Sequence, residues 1–494
     1  MIPINIRCRV VESDNRSFNG SFRIRCAVSS DTRDAIYKER AAKLEKELRF
    51  AINDEDAEPV NFLELIDDIQ RLGLWHRFEM DIGGALRKFE SSDDGGVAEE
   101  YSLHAAALRF RLFRQHGYEI SQDVFKAFKD NKGNFKGCLH KDVKGMLSFY
   151  EASHLAFEGE DLMDEALTFS RMHLMDLRCV NNLEKGLLEE VSRTLELPLH
   201  RRMLRLEAWW YIEAYSRRAT ANPTLLELAK LDFNMVQSTH QEDLKKMARW
   251  WIGMGLASKL NFARDRLVEC FFWWDVGAAK NLPKCMELCF LALYNSVNEM
   301  AYQTLRDHGQ NNISYLTKAW TDLCKAFLKE AKWEHSKHVP TFQDYLENAW
   351  ISVSGHAFLV HAYFLQNSSI TGETFDSLEQ YHDVLRFPST IFRLCNDLGT
   401  SKDELERGES ANSITCYMKE TGCSEDEARQ HISDLIDSYW KKMNRCRVDG
   451  STFAKQLLET GINLAWISQC TYQHGDVHGC PDYLSEKRVQ SFDY

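Results

Sequence analysis

An all-α fold is what this sequence predicts, and three observations carry it. Proline is scarce, 8 in 494 residues, as suits helices, which lose a hydrogen bond and gain a clash at each internal proline. Apolar residues recur at three- and four-residue steps over most of the chain. No run of alternating Val, Ile and Thr marks a strand. The helices group into an N-terminal, barrel-like domain over residues 31–220 and a C-terminal bundle over residues 221–494, with residues 1–30 set apart.

Residues 1–30 carry Arg7, Arg9, Arg16, Arg23 and Arg25 against only Glu12 and Asp14, and lack the continuous apolar core of a secretory signal. An organelle transit peptide fits, an ordinary disordered N-terminus being the alternative. From about Ala35 helical periodicity dominates. In NFLELIDDIQRLGL, Phe62, Leu65, Ile66, Ile69 and Leu72 form one apolar stripe. Glu64, Asp67 and Asp68 fall mostly on the other face. Arg71 stands where a third acid would follow the Asp67–Asp68 pair, so the pair reads as a solvated helix face rather than a metal site. Similar stripes run through SLHAAALRFRLFRQHG, DVKGMLSFYEASHLAF and DEALTFSRMHLMDL, with polar breaks such as Ser91–Gly96 and Asn131–Gly137 between them. That is the pattern of antiparallel helices joined by short loops. No fixed-period repeat points to a solenoid. A second region opens at Asn222–Pro223, a helix-start signal, and runs in long helical stretches to His474.

Composition narrows the function. The chain is 44% hydrophobic and 27% charged, with a formal net charge of −13. Such acidity argues against nucleic-acid binding, which usually needs a basic face. A polyanionic substrate would instead need local positive charge from metal ions or placed arginines. No apolar stretch reaches the roughly 18 residues that span a bilayer. The fourteen cysteines are scattered without a CxxC pair, Cys285 and Cys289 being the nearest to one. They read as reduced, mostly buried thiols.

The strongest local signal runs from Leu394 through Cys-Asn-Asp-Leu-Gly-Thr-Ser-Lys-Asp to Glu404. On a helix, Asn396, Thr400 and Glu404 are spaced by four, lining one face over about 12 Å. An amide oxygen, a hydroxyl and a carboxylate are hard donors that suit Mg²⁺, although a capped helix end with a solvated acidic face has the same pattern. Arg264-Asp-Arg266 and Arg393 are a second element, because guanidinium groups bind diphosphate oxygens bidentately. Arg393 lies three residues before Asn396 and so on the same side of its helix. Trp273, Trp274, Tyr294, Trp320, Trp350, Phe364 and Tyr472 supply aromatic faces that could stabilise a carbocation; singly, each reads more simply as core.

The segments RDRLVECFFW, WDVGAAKNLPKCMELCFLALYNSVNEMAY, NAWISVSGHAFLVHAYF, FPSTIFRLCNDLGTSKDELERGE and CTYQHGDVHG resemble the class I domain of plant monoterpene synthases. LIDDIQRLGL, LHAAALRFRLFRQHGYEISQDVF and LSFYEASHLAFEGE resemble that family's N-terminal domain. The likeness runs from about Tyr37 to the C-terminus. It implies a class I terpenoid synthase bundle in which Asn396, Thr400 and Glu404 hold one Mg²⁺, with Mn²⁺ possible. It also implies that Arg264, Arg266 and Arg393 hold the departing diphosphate. Ser354–Gly355 falls where the family breaks a helix facing the ionising carbon, and Ser354 and Tyr472 join the substrate-binding set. The implied reaction is ionisation of an allylic diphosphate, geranyl diphosphate being the C10 substrate, followed by carbocation rearrangement and proton loss or water capture. A plastid address and a monomeric state accompany it.

The chain departs from that pattern. The aspartate-rich DDxxD motif, which holds two further Mg²⁺ in the family, is absent from the sequence. Relatives carry it between ECFFW and WDVGA, where here Trp273 runs straight into Trp274. About 45 to 50 residues, the length of a helix pair, are missing at that junction, by exon loss or gene-model error. The RR(x)₈W element is also absent, and Ala411–Asn412 stands where many relatives have Pro-Lys. The expectation is a terpene synthase-like chain of impaired activity, or a non-catalytic relative that binds prenyl diphosphate or an intact synthase.

Overall fold

A computed structural model describes residues 30–54, 57–92, 101–178, 184–254, 284–366, 372–406, 411–450, 452–473 and 475. The N-terminal half contains α1 (Ser30–Ile52), α2 (Pro59–Arg71), α3 (Trp75–Ser92), α4 (Leu103–Gln115), α5 (Val143–Ser153), α6 (Asp161–Arg178), α7 (Lys185–Glu196), α8 (Leu204–Ser216) and α9 (Pro223–Met254). The C-terminal half contains α10 (Lys284–His308), α11 (Ile313–Ser336), α12 (Phe342–Ser352), α13 (Gly355–Gln366), α14 (Gly372–Glu379), α15 (Asp383–Glu406), α16 (Ser413–Thr421), α17 (Glu425–Asp449) and α18 (Thr452–Tyr472). Among the described residues there is no strand beyond one isolated bridge, Lys129 to Phe135, and no helix is long and apolar enough to cross a membrane.

Local chemistry sets the helix starts. The Ser102 hydroxyl accepts the Ala105 N–H at 3.2 Å and Asp142 accepts the Gly145 N–H at 2.8 Å. Asn222 accepts from Thr224 and Leu225 just ahead of Pro223, a proline at a position where the missing N–H costs nothing. In α2 the expected stripe is buried at Phe62, Ile66 and Ile69. Leu63 completes the face, whereas Leu65 is only partly covered. The described cysteines are free thiols, three of them buried.

Two large cores stand out among the described residues. The first joins Phe62, Ile66, Phe78, Leu112 and Tyr211 with Leu225 and Leu228 of α9. The second surrounds α15 and α18, from Leu385, Ile391 and Leu394 to Ile462 and Trp466. Close approach of those two helices depends on glycine. A Cβ on Gly461 would lie 3.1 Å from Pro388 Cγ and 3.2 Å from the Val384 carbonyl oxygen. That carbonyl has lost its helical donor, because Pro388 inside α15 has no N–H. The halves are bolted together by polar bonds. The Trp466 indole donates to the His200 carbonyl at 2.6 Å, and the Asn444 amide to the carbonyls of His154 and Ala156.

Asp67 and Asp68 are not on a solvated face. Asp67 pairs with buried Arg111 at 2.6 Å, while Asp68 accepts from the Tyr211 hydroxyl at 2.6 Å and meets Arg218 at 3.1 Å. The polar face of α2 turns onto α4 and α8, and a one-helix view of periodicity cannot see those arginines. Beside it Arg71 bridges Glu190 and Glu207, and Arg202 also pairs with Glu207. Burial works to raise the Glu207 carboxyl, but Arg202, Arg71 and Arg193 prevail and hold it down at about 2. For Asp68 burial wins over Tyr211 and Arg218, pushing its carboxyl up to about 6.

Replacing Glu207 with Gln leaves buried arginines uncompensated and should cost about 3 kcal/mol or more, measured by denaturant unfolding at neutral pH. The carboxylate's contribution is present above its ordinary value of 4.5 and fades as pH falls toward about 2, so the difference between the chains should shrink over that window. Asp68 has the opposite sign. Its raised value means that the native state binds the proton more tightly and loses stability as pH rises from about 4 to about 6. The Asp68→Asn variant should therefore gain stability relative to the parent across that window, and a pH-independent difference would refute the assignment.

Candidate functional site

The site is built on α15, whose ridge of polar residues faces α12 and the start of α16. Asn396, Thr400 and Glu404 do share one face of this helix, as their spacing predicts. The Thr400 hydroxyl lies 2.9 Å from the Asn396 carbonyl and 2.8 Å from Glu404 Oε1 as donor. Glu404 Oε2 accepts from the Asn412 side chain at 3.4 Å. Asn396 is buried, yet its side-chain amide makes no hydrogen bond among the described residues. An amide, a hydroxyl and a carboxylate on one helix face are a hard-oxygen donor set. These three residues therefore fit a divalent metal ion of the Mg²⁺ kind. Among the described residues no group of three or more His, Cys, Asp or Glu side chains could hold one.

Arg393 is the charged head of the same ridge. Its Nε–H donates to the Tyr345 hydroxyl at 2.7 Å and lies 2.8 Å from Asp397 Oδ1. Tyr345 in turn donates to Asp397 Oδ2 at 2.8 Å, and the Ser413 N–H donates to that oxygen at 2.9 Å. Asp397 is fully buried. Burial opposes the guanidinium charge, but Asp397, Tyr345, Glu330 and Glu404 hold Arg393 well above its ordinary value. Burial likewise pushes the Tyr345 phenol well up, beyond what Arg393 takes back, so it stays a neutral donor. The outcome is a fork fixed at its Nε edge, whose terminal nitrogens make no hydrogen bond among the described residues.

Ser354 sits in the break between α12 and α13 with a left-handed backbone, φ 70°, a strained conformation for a residue with a Cβ. Gly355 follows it onto α15, where a Cβ would meet Ser389 Oγ at 2.7 Å. Ser389 lies seven residues before Asn396 on nearly the same side of the helix, so the break and the ridge belong to one wall. Tyr472 packs on the flank of that helix. Its backbone and ring pack on Gly399 and its ring stacks with Phe392 at 6.4 Å, about 40° to 60° round α15 from Asn396 and about 80° or more from Thr400 and Glu404. Arg264, Arg266, Trp273 and Trp274 lie outside the described residues. Trp350 and Phe364 are core residues, and Trp320 packs partly buried against that core. Asn412 is the N-cap of α16 in a capping box with Thr415, which gives the Ala411–Asn412 departure a structural role.

Two family models match the chain. The terpene synthase N-terminal domain matches residues 15–195, and the metal-binding domain of the terpene synthase family matches residues 274–442. The chain belongs to the terpene synthase family. It is 51% identical to probable terpene synthase 12 of Ricinus communis, over 94% of this chain and 87% of that protein. It is 50% identical to a chloroplastic isoprene synthase of Populus alba, over 94% and 86%. Its fold matches the crystal structure of isoprene synthase from grey poplar in complex with three Mg²⁺ and dimethylallyl-S-thiolodiphosphate, with a TM-score of 0.85 and 49% identity over 93% and 97% of the two chains. It also matches a limonene synthase in complex with 2-fluorolinalyl diphosphate, with a TM-score of 0.88 and 35% identity over 94% and 96%. The metal-binding domain of this terpene synthase includes α15 and its ridge.

Sequence reasoning missed Asp397 and Tyr345. The Arg393–Asp397 spacing of four was a usable signal. Tyr345, on α12 and far away in sequence, offered none. An Asp397→Ala variant should lose about 3 kcal/mol or more, because it strands buried Arg393 and frees the α16 start. Denaturant unfolding would measure this, and a loss no greater than that of an exposed Asp→Ala control would contradict it.

Proposed function

We propose that this chain descends from a Mg²⁺-dependent terpene synthase, a carbon–oxygen lyase that ionises an allylic diphosphate, with geranyl diphosphate as its substrate. The observation that carries the reading is the ridge on α15. There Asn396, Thr400 and Glu404 present three hard oxygens, and Arg393 presents a fixed fork with its terminal nitrogens unengaged. Mg²⁺ bound by those three residues, or Mn²⁺ in its place, would offset charge on the leaving diphosphate. Arg393 does so by bidentate hydrogen bonding, and Arg264 and Arg266 are assigned the same task from their motif. Ser354 is assigned to the substrate wall at the α12–α13 break. The limonene synthase likeness supports a C10 substrate, whereas the poplar likeness makes dimethylallyl diphosphate the comparison to run beside it. The acidic surface and the family's habit favour a monomer, and the chloroplastic relative supports a plastid address rather than a cytoplasmic one.

Activity is proposed to be impaired. No DDxxD motif is present in the sequence, and so the ridge would hold one ion without the carboxylates that hold others in the family. The Ricinus alignment supports an internal loss. It is 514 positions long, whereas 94% of 494 residues is about 464, so about 50 positions have no counterpart here. Uncompensated leaving-group charge in a low-dielectric site is costly, and each factor of ten in rate is about 1.4 kcal/mol. The same alignment favours a second reading, a non-catalytic relative that binds prenyl diphosphate or pairs with an intact synthase.

Purified chain supplied with geranyl diphosphate and Mg²⁺ or Mn²⁺ should release diphosphate at least about a hundredfold more slowly than an intact relative. A rate equal to the relative's would overturn the impairment. Binding of a non-hydrolysable geranyl diphosphate analogue in the presence of Mg²⁺ should survive in the parent chain and weaken at least about tenfold in Asn396→Ala. Failure of the parent to bind would sink both readings. Sequencing the transcript between the codons for Trp273 and Trp274 tests the origin of the gap.

A further inference from the structure

The side of α15 that carries Lys402 and Gly399 faces a cleft. This cleft, of about 740 Å³, opens between α5, α6 and α7 of the N-terminal half and α15, α17 and α18 of the C-terminal half. Its charged lining is Arg171, Arg201, Lys402 and Arg429 against Glu196 and Asp437. The cleft is thus net positive in a chain whose formal net charge is −13. Four cations gathered in one concavity of so acidic a molecule form a local field that bulk charge does not explain.

The pairing within the cleft sharpens the point. Arg201 is engaged by Asp437, and Arg429 by Glu425, the Leu398 carbonyl and the Ser401 hydroxyl. Arg171 and Lys402 have no hydrogen bond or ion pair among the described residues. Arg171 stands on α6 and Lys402 on α15, so the two halves of the molecule present like charges to one concavity. The positive field is felt by the wall. His154 is held well below its ordinary value by burial, then by Arg201, His200 and Arg171. Arg201 Nε is also buried without a hydrogen-bond partner.

We propose that this interdomain cleft is a metal-independent binding site for a small anion bearing a phosphate or diphosphate group, with Arg171 and Lys402 as its two principal contacts. A multivalent oxyanion would accept charge-assisted bonds from both halves at once. It would relieve the repulsion between them and clamp the N-terminal half to that side of α15. The site differs from the ridge in position and in requirement. The ridge offers oxygens to a cation, whereas the cleft offers cations to an anion and holds no carboxylate cluster that would need a bridging metal.

Inorganic diphosphate is the probe, titrated in EDTA against the full chain, with binding read by calorimetry and by the unfolding midpoint. Sodium sulfate at matched ionic strength is the control. Diphosphate should bind and raise the midpoint, and the Arg171→Ala/Lys402→Ala double variant should bind at least about tenfold more weakly, two charge-assisted contacts being lost. The double variant removes surface side chains and should unfold at the parent midpoint without ligand, which separates lost binding from lost fold. Binding that requires added Mg²⁺ and persists in the double variant would belong to the ridge, so failure of the ridge reading and of this one can be told apart. Equal binding by the double variant, binding that requires added Mg²⁺, or an equal shift with sulfate would each overturn the proposal.

Discussion

A single buried carboxylate organises the C-terminal half. Asp397 has no exposed surface and touches three elements: Arg393 on its own helix, Tyr345 on α12, and the first N–H of α16 at Ser413. Burying a charge is costly unless it is paired, and here the pairing is what sets the geometry. Because Tyr345 accepts from Arg393 and donates to Asp397, the guanidinium cannot swing without breaking both bonds. The start of α16 is held by the same oxygen, and its N-cap residue Asn412 reaches Glu404. Ligand face, arginine fork and following helix thus share one anchor.

Much of this architecture was legible in the sequence because it is local. Apolar steps of three and four residues marked the helices, and Asn222–Pro223 marked the start of α9. The spacing of Asn396, Thr400 and Glu404 placed them on one face. What the sequence hid is what two helices decide together. Asp67 and Asp68 looked solvated because the arginines that claim them, Arg111 on α4 and Arg218 in the loop after α8, lie far away in sequence. Tyr472 fell in a segment with a strong resemblance, yet its direction depends on how closely α18 can approach Gly399. Tyr345 carries no local sign of its bond to Asp397.

The described architecture also separates stability from chemistry. The charged network around Glu207 and the aromatic clusters of α4 and α5 serve packing of the N-terminal half. The ridge on α15 instead gathers an amide, a hydroxyl, a carboxylate and a guanidinium on one helix face. That contrast, more than any single residue type, distinguishes the candidate site from the many other helical faces in the chain.

The indole of Trp466 bound to the His200 carbonyl, with Asn444 bound to the carbonyls of His154 and Ala156, has a consequence for truncation. Backbone carbonyls of one half are completed by side chains of the other, so neither half presents a finished surface alone. A gene fragment encoding only the C-terminal half would expose the Lys402 side of α15 and orphan these donors. The two halves therefore complete each other's polar surface, even though the proposed chemistry belongs to only one of them.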